Sequence, residues 1–542
     1  MTNGVKNSAC DAPALGLAPR QALLARLAAL DEVDLIVIGG GATGLGVALD
    51  ARLRGLSVLL LESHDFAAGT SSRATKLVHG GVRYLAQGNI ALVREALHER
   101  RALLANAPHL AQPLGFVMPA YRTWQLPFYG LGLKIYDGLA GAASLGATQW
   151  LNRDQTTRQL PGVNPVHLVG GVKYWDGQFD DARLALALAR TAAAQGAVLL
   201  NYCPAVEILH EKGQVCGVRW QDALDPAGQR VGQVRARCVV NATGVWADDV
   251  RTLDDAARGR VATPMLAPSQ GVHLVVDRSF MPGGEALLVP RTRDGRVLFA
   301  VPWLGHLILG TTDTPRSHVV REPQALPEEV SFILAESAKV LARAPRVDDV
   351  LSIWAGFRPL VKPAGRGRGE TRRLSREHDI RLSPSRLVTV TGGKWTTYRA
   401  MAEDVLQYCV QHGLLAHLPA CRTARFPLVG APAPGTPATP MTAMPGLHVY
   451  GSEAAIVRAL PGHDVDLGLG LTGAMVRFAA RYEYACSVED VLARRHRMLF
   501  LDAARAMQAA PEVARILEEE IGHSGALDAF LRLAAQYRTV PH

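Results

Sequence analysis

The chain has 542 residues, 48% hydrophobic and 20% charged, so it holds material for a large core and reads as two or three folded domains, not as a disordered chain. Its formal charge of +9 suits an anionic substrate, an anionic membrane surface or nucleic acid, but the absence of any Lys/Arg-rich run or nucleic-acid module ranks nucleic acid last. Seven scattered cysteines with no CxxC pair argue against a disulfide framework or a zinc site and for a reducing compartment; no metal constellation stands out.

Residues 1–30 form an N-terminal extension without the charged-then-apolar plan of a secretory signal. Within it, Pro19 to Leu30 suits a short packing helix with Leu23, Leu24, Leu27 and Leu30 on one side. No uninterrupted apolar run reaches the roughly 18–20 residues that span a bilayer, so any membrane contact is expected to be peripheral.

Asp34 to Ile38 is a short apolar strand that runs into Gly39-Gly40-Gly41-Ala42-Thr43-Gly44, then a helix, then a strand Ser57 to Leu61 ending at Glu62. This is a βαβ unit with a GxGxxG turn. Gly39 allows the tight turn, Gly41 lets backbone approach a pyrophosphate, and Gly44 lets helix and strand pack closely. The helix N-terminus attracts phosphates, and Glu62 can accept hydrogen bonds from a ribose diol. A second match, Gly468-Leu469-Gly470-Leu471-Thr472-Gly473, has neither a preceding strand nor a following acidic strand end and reads as chance.

Farther along, WQLPFYGLGLKIYDGLA at 124–140 mixes aromatic and apolar residues with only Lys134 and Asp137 charged, a composition that fits an interfacial segment or core packing equally well. Val239-Val240-Asn241-Ala242-Thr243-Gly244 is a strand entering an ATG turn. Short apolar runs split by Gly, Pro and Asp over 272–311 indicate an antiparallel sheet. Leu387 to Thr391 is a strand entering Gly392-Gly393-Lys394 and a helix. Three strand–glycine turns in order, without a second well-placed GxGxxG, favour FAD over NAD. Residues 427–446, rich in Pro, Gly and Ala, read as a linker. Helices are expected beyond it at 475–484, 488–508, 512–521 and 527–537, with Ser487 and Asp490 as a capping box.

The run Thr70-Ser71-Ser72-Arg73-Ala74-Thr75-Lys76-Leu77-Val78-His79-Gly80-Gly81-Val82-Arg83-Tyr84-Leu85 closely resembles the signature of FAD-dependent, respiratory glycerol-3-phosphate dehydrogenases. So do Asp180 to Leu184, Gly310 to Asp313, Gly356 to Leu360, Ser375 to His378, Gly392 to Arg399 and Val488 to Arg495. The resemblance implies a glycine/D-amino-acid-oxidase-type α/β fold: an FAD-binding Rossmann-like domain over 31–426, an interleaved antiparallel-sheet substrate domain at roughly 106–167 and 263–349, and a C-terminal helical domain over 447–542. It implies oxidation of sn-glycerol 3-phosphate to dihydroxyacetone phosphate by hydride transfer to FAD, with electrons passed to a membrane quinone. It further implies peripheral attachment at the cytoplasmic face of the inner membrane and a possible homodimer. One departure is Thr43, where many relatives carry Asn.

For the FAD site the resemblance nominates Gly39, Gly41, Thr43, Gly44 and Glu62, then Thr70, Ser71, Ser72, Lys76, His79, Gly80 and Gly81. Ala242, Thr243 and Gly244, with Gly392, Gly393, Lys394 and Thr396, complete it. The substrate phosphate requires several charge-assisted hydrogen bonds, each worth roughly 1.5–3 kcal/mol, and Arg83, Tyr84, Arg358, Arg376 and Lys394 are the nominated donors. His273 is the candidate base, and Arg358 can hold down alkoxide charge. A strand histidine between apolar neighbours also suits a packed core, and any single arginine also suits a salt bridge. Rival functions are an oxygen-using glycerol-3-phosphate oxidase, a flavin-containing RNA-binding or RNA-modifying protein, and a non-catalytic flavoprotein scaffold.

Overall fold

The computed structural model describes residues 20–85, 89–261, 263–293, 295–362 and 378–541. The strand Glu32–Ile38 is buried at every position from Leu35 onward, because both faces of its sheet are covered. It pairs in parallel with Val58–Leu61 on one side and Val231–Asn241 on the other; Val198–Leu200 and Val388–Gly392 extend the parallel set outward. An antiparallel edge strand, His378–Leu382, and a hairpin of Ala205–Glu211 and Gln214–Gln221 bring this sheet to eight strands. The helices Ala42–Leu53, Asp181–Ala194 and Tyr398–Gln411 pack together against it, burying residues such as Leu45, Leu188 and Val405 in one core.

A second sheet of ten strands forms the other half. Its long strands Ala111–Ala120 and Gly170–Phe179 pair antiparallel over their full length. Ser269–Asp277 lies between His306–Gly310 and Val350–Arg358, antiparallel to both, as the split apolar runs over 272–311 anticipate. The two sheets are tied where Thr70 Oγ1 donates to the carbonyl of Phe357 at 2.7 Å. This bond sets the glycine-turn end of the first sheet beside the Arg358 end of the second.

The helix Arg20–Ala28 buries Leu23, Leu24 and Leu27. Residues 427–446 carry no helix or strand and lie along the body, Met441 donating to Gln112 and accepting from Leu304. Beyond them the expected helix 488–508 is interrupted: the chain makes a turn at Asp490–Arg495, passes Arg497 with φ +77°, and restarts at Met498–Leu501. The Ser487–Asp490 pair caps reciprocally, Asp490 N donating to Ser487 Oγ at 3.1 Å and Ser487 N to Asp490 Oδ2 at 3.0 Å. Arginine side chains cause the interruption: Arg494 and Arg495 turn inward to Asp65, and Arg497 to Asp181 and the Ser72 carbonyl. Conversely, no break occurs at Pro511; Ala503–Ile521 is one helix. Proline forfeits one backbone bond there, while a continuous buried stripe of Ala506, Ala510, Val513 and Leu517 holds both sides in register.

Candidate functional site

A cavity of about 510 Å³ opens at the C-terminal ends of the parallel strands. Gly39, Gly41 and Thr43 line it at the first turn, Glu62 at the end of the next strand, and Thr70 and Ser71 on the following loop. Ala242, Thr243 and Gly244 enter from the third strand, and Gly392, Gly393 and Lys394 from the fourth.

The first turn has the shape an extended dinucleotide needs. Gly39 has φ +111°, and a β-carbon there would fall 2.7 Å from the Ala242 carbonyl oxygen. A β-carbon on Gly44 would fall 2.0 Å from the Gly39 carbonyl oxygen, so helix and turn touch backbone to backbone. Ala42 N donates to Ser71 Oγ at 2.9 Å, folding the serine loop onto the helix N-terminus. The remaining first-turn N–H groups have no partner within the helix and lie at the cavity, fitted to phosphate oxygens. Glu62 accepts from Gly40 N at 2.6 Å and His64 N at 2.9 Å. Burial raises its carboxyl above the usual range, an effect the Gly40 N–H opposes. The ATG turn is braced by Thr243 Oγ1 donating to Asn241 Oδ1 at 2.7 Å, while Asn241 Nδ2 donates to the Ala247 carbonyl at 2.9 Å.

Several nominated residues sit beside the cavity and not on its wall. Ser72, with 1% exposure, gives its carbonyl to Lys76 Nζ at 2.7 Å. Lys76 is fully buried, ion-paired to Asp181 at 2.7 Å, and packed among Trp303, Trp354 and Phe500. Burial and the nearby Arg497 push its amine down to about 7 despite Asp181. Gly80 N donates to buried Asp176 at 3.1 Å, next to Gly81, and Thr396 Oγ1 donates to the His79 carbonyl at 3.5 Å. These contacts shape the second wall of backbone behind the cavity.

His273 and Arg358 come together on the second sheet. His273 has 2% exposure and stacks on Trp354 with ring centroids 4.1 Å apart. Its Nε2 lies 3.0 Å from Thr75 Oγ1, at the end of the serine loop. Burial, Arg358 and Lys76 hold its imidazole well below the usual histidine range, so it is neutral at pH 7. Arg358 Nη2 donates to Thr311 Oγ1 at 3.2 Å, and Nη1 is 3.6 Å from Asp313. Its neighbour Pro359 lines the cavity, as does Lys394. Arg83 and Tyr84 belong to the short helix Val82–Leu85, and Arg376 lies outside the described residues.

Sequence reasoning passed over Trp246, Trp395 and Arg321, all of which line the cavity. Trp395 Nε1 donates to the Ser71 carbonyl at 2.9 Å and abuts Phe179. Trp395 stands inside the quoted GGKWTTYR run, so the signal was available. Arg321 stands in no motif.

Residues 34–406 match the family of FAD-dependent oxidoreductases, and residues 421–527 match the C-terminal domain of alpha-glycerophosphate oxidase. The mitochondrial glycerol-3-phosphate dehydrogenase of Mus musculus is 39% identical, the match covering 93% of this chain and 73% of that protein. The glycerol-3-phosphate dehydrogenase of Bacillus halodurans, solved with FAD, is 30% identical, with a TM-score of 0.75 over 96% of this chain and 98% of that one. The L-alpha-glycerophosphate oxidase of Mycoplasma pneumoniae, with FAD bound, shares the fold at 17% identity, TM-score 0.54, over 74% of this chain and 99% of that one.

Proposed function

The chain belongs to the glycerol-3-phosphate dehydrogenase family of FAD-dependent oxidoreductases, and from that premise we propose how its own residues carry the reaction and where its electrons go. The substrate is sn-glycerol 3-phosphate and the product dihydroxyacetone phosphate. FAD, held by the glycine turn, Glu62, Thr70, Ser71, the ATG turn and Gly392–Lys394, supplies the two-electron acceptor.

The other steps belong to side chains. Arg358 and Lys394 are the described cations placed to take the substrate phosphate and hydroxyl oxygens, with Arg83, Tyr84 and Arg376 as further donors. A doubly charged phosphate leaves water only for such donors. His273 receives the carbinol proton at Nε2, with Thr75 Oγ1 as hydrogen-bond partner. The neutral ring is already in the accepting form, and the arriving phosphate counters the field of Arg358 and Lys76 that depresses its basicity. Arg358 sits close enough to His273 to hold the developing alkoxide charge.

The single observation that carries this reading is the convergence of His273, Arg358 and Thr75 behind a cavity built for a dinucleotide. Anaerobic mixing of the yellow protein with glycerol 3-phosphate tests it. Flavin absorbance is expected to bleach with glycerol 3-phosphate and to persist with glycerol.

Electrons then pass to a membrane quinone. The helix Gln125–Ala140 and its flanks support this: Trp124, Phe128, Leu131 and Ile135 recur at helical spacing with exposures of 54%, 67%, 66% and 51%, beside Trp150 at 50%. Leu133 and Tyr136 on the opposite face are buried. An apolar stripe of this kind on a helix suits insertion at the headgroup boundary. Among the described residues no helix is long and apolar enough to cross a membrane. We place the enzyme peripherally on the cytoplasmic face of an inner membrane, as a possible homodimer. An oxidase reaction, by contrast, would yield peroxide in amounts equal to the substrate consumed.

A further inference from the structure

Among the described residues lining the dinucleotide cavity, the arginine and lysine side chains are Lys394 and Arg321. Lys394 belongs to the turn after the fourth parallel strand. Arg321 arrives from elsewhere, on the segment that follows the second sheet's edge strand Thr314–Pro315.

That segment is firmly held. Glu322 pairs with Arg73 at 2.6 Å, and its other oxygen accepts from Tyr537 Oη at 3.2 Å. The Gln324 carbonyl accepts from Gln270 Nε2 at 2.9 Å. Arg321 itself makes no hydrogen bond and no ion pair with a described residue. Burial lowers the affinity of its guanidinium for its proton, and Arg494 adds to this; Glu489, Glu322 and Glu62 only partly compensate. Within the C-terminal domain, burial acts to raise the Glu489 carboxyl, but Arg494, bonded to it at 2.6 Å, and then Arg321 and Arg73 hold it below the usual range.

A guanidinium fixed at its backbone, facing a cavity and lacking a partner, is poised for an anion from solution. Its electrostatic neighbours locate it along the cavity. They include Glu62, at the ribose end of the glycine turn, and they do not include Lys394 or Arg358. The glycine turn offers the diphosphate only N–H groups and a helix end worth about half a unit charge. Two phosphate charges are left undercompensated on that side.

We propose that Arg321 is an FAD-binding residue that pairs with the cofactor's diphosphate, closing the site from the second sheet and the C-terminal domain. The inference rests on FAD occupying the cavity and not on the identity of the substrate. Three parts of the chain then meet on one ligand: the glycine turn, the loop carrying Arg321, and Glu489, which faces that arginine from the C-terminal domain.

The test is FAD titration of the apoprotein followed by flavin fluorescence. Arg321→Ala is expected to raise the Kd for FAD by roughly tenfold to a hundredfold, the worth of one charge-assisted hydrogen bond. Arg321→Lys, which keeps the charge and loses the fork, is expected to fall between. ADP, used as a competitor that carries the diphosphate without the isoalloxazine ring, is expected to lose affinity in parallel. A Kd for FAD within about twofold of the unsubstituted protein would overturn the proposal. So would a defect confined to the KM for glycerol 3-phosphate with FAD affinity intact. Failure of the substrate assignment would leave the FAD titration unchanged, so the two outcomes are separable.

Discussion

The guanidinium of Arg358 lies across Gly271, so close that a β-carbon on Gly271 would fall 2.4 Å from Nη2 and 2.9 Å from Cζ. Gly271 and His273 project from the same face of one strand, two residues apart. The absent side chain at 271 therefore makes the room that brings Arg358 next to His273. The atoms in the way are the far end of a flexible side chain, so a methyl group would displace the arginine and leave the strand in place. Gly271→Ala is expected to lower kcat/KM for glycerol 3-phosphate by roughly tenfold or more with FAD content unchanged. Steady-state kinetics beside a flavin-to-protein absorbance ratio checks this.

His273→Asn keeps a polar side chain beside Thr75 and removes the base. It is expected to lower kcat by about 10²–10⁴, the range of general-base contributions, while FAD stays bound. Thr75→Val is expected to act less strongly and to shift the acid limb of the pH–rate profile, because it removes the hydroxyl 3.0 Å from Nε2. An unshifted profile would leave Thr75 without a role in proton transfer.

Phe128→Glu and Leu131→Glu place charges in the middle of the exposed apolar stripe, where no described packing is lost. Both variants are expected to leave anionic lipid vesicles in a flotation assay while reducing a soluble dye at the unsubstituted rate. Retention on vesicles would move the docking surface elsewhere.

Buried histidines set an acid limit on stability. His109 and His496 are each pushed down to about 3, by burial first and by Arg183 second. Between that value and the unfolded value near 6.5, the unfolded chain binds a proton that the native chain does not. Stability therefore rises with pH across this window and is lost as pH falls below about 6.5. His109→Gln is expected to remove about 1.4 kcal/mol per pH unit of that slope between roughly pH 4 and 6. Urea midpoints measured through this range, for variant and parent, report the difference.

Much of this was legible in residue order because the relevant physics is local. A strand, a glycine turn and an acidic strand end lie within 31 residues from Asp34 to His64, and each has a short-range reason to be there. The alternation of apolar runs over 272–311 likewise foretold antiparallel pairing. The later matches at 468–473 show the limit of pattern alone: the same glycine spacing there makes a small hairpin, Asp466–Gly468 with Leu471–Thr472, ahead of a helix. What escaped was non-local. The break at Arg497 is set by carboxylates hundreds of positions away, at Asp65 and Asp181, which the helical periodicity of 488–508 could not register. Lys76 stands within the signature run, yet its side chain turns to Asp181, a contact 105 positions distant. Arg321 reaches the cavity only because Glu322 and Gln324 are pinned by residues from three other segments.

The most direct measurement is rapid-mixing absorbance of the anaerobic holoenzyme with glycerol 3-phosphate, run beside Arg358→Ala and Lys394→Ala. The account predicts fast flavin bleaching in the parent, a rate that saturates with substrate, and a marked loss in both variants, with glycerol inert throughout. Bleaching by glycerol as readily as by its phosphate, or unchanged rates in both variants, would contradict it.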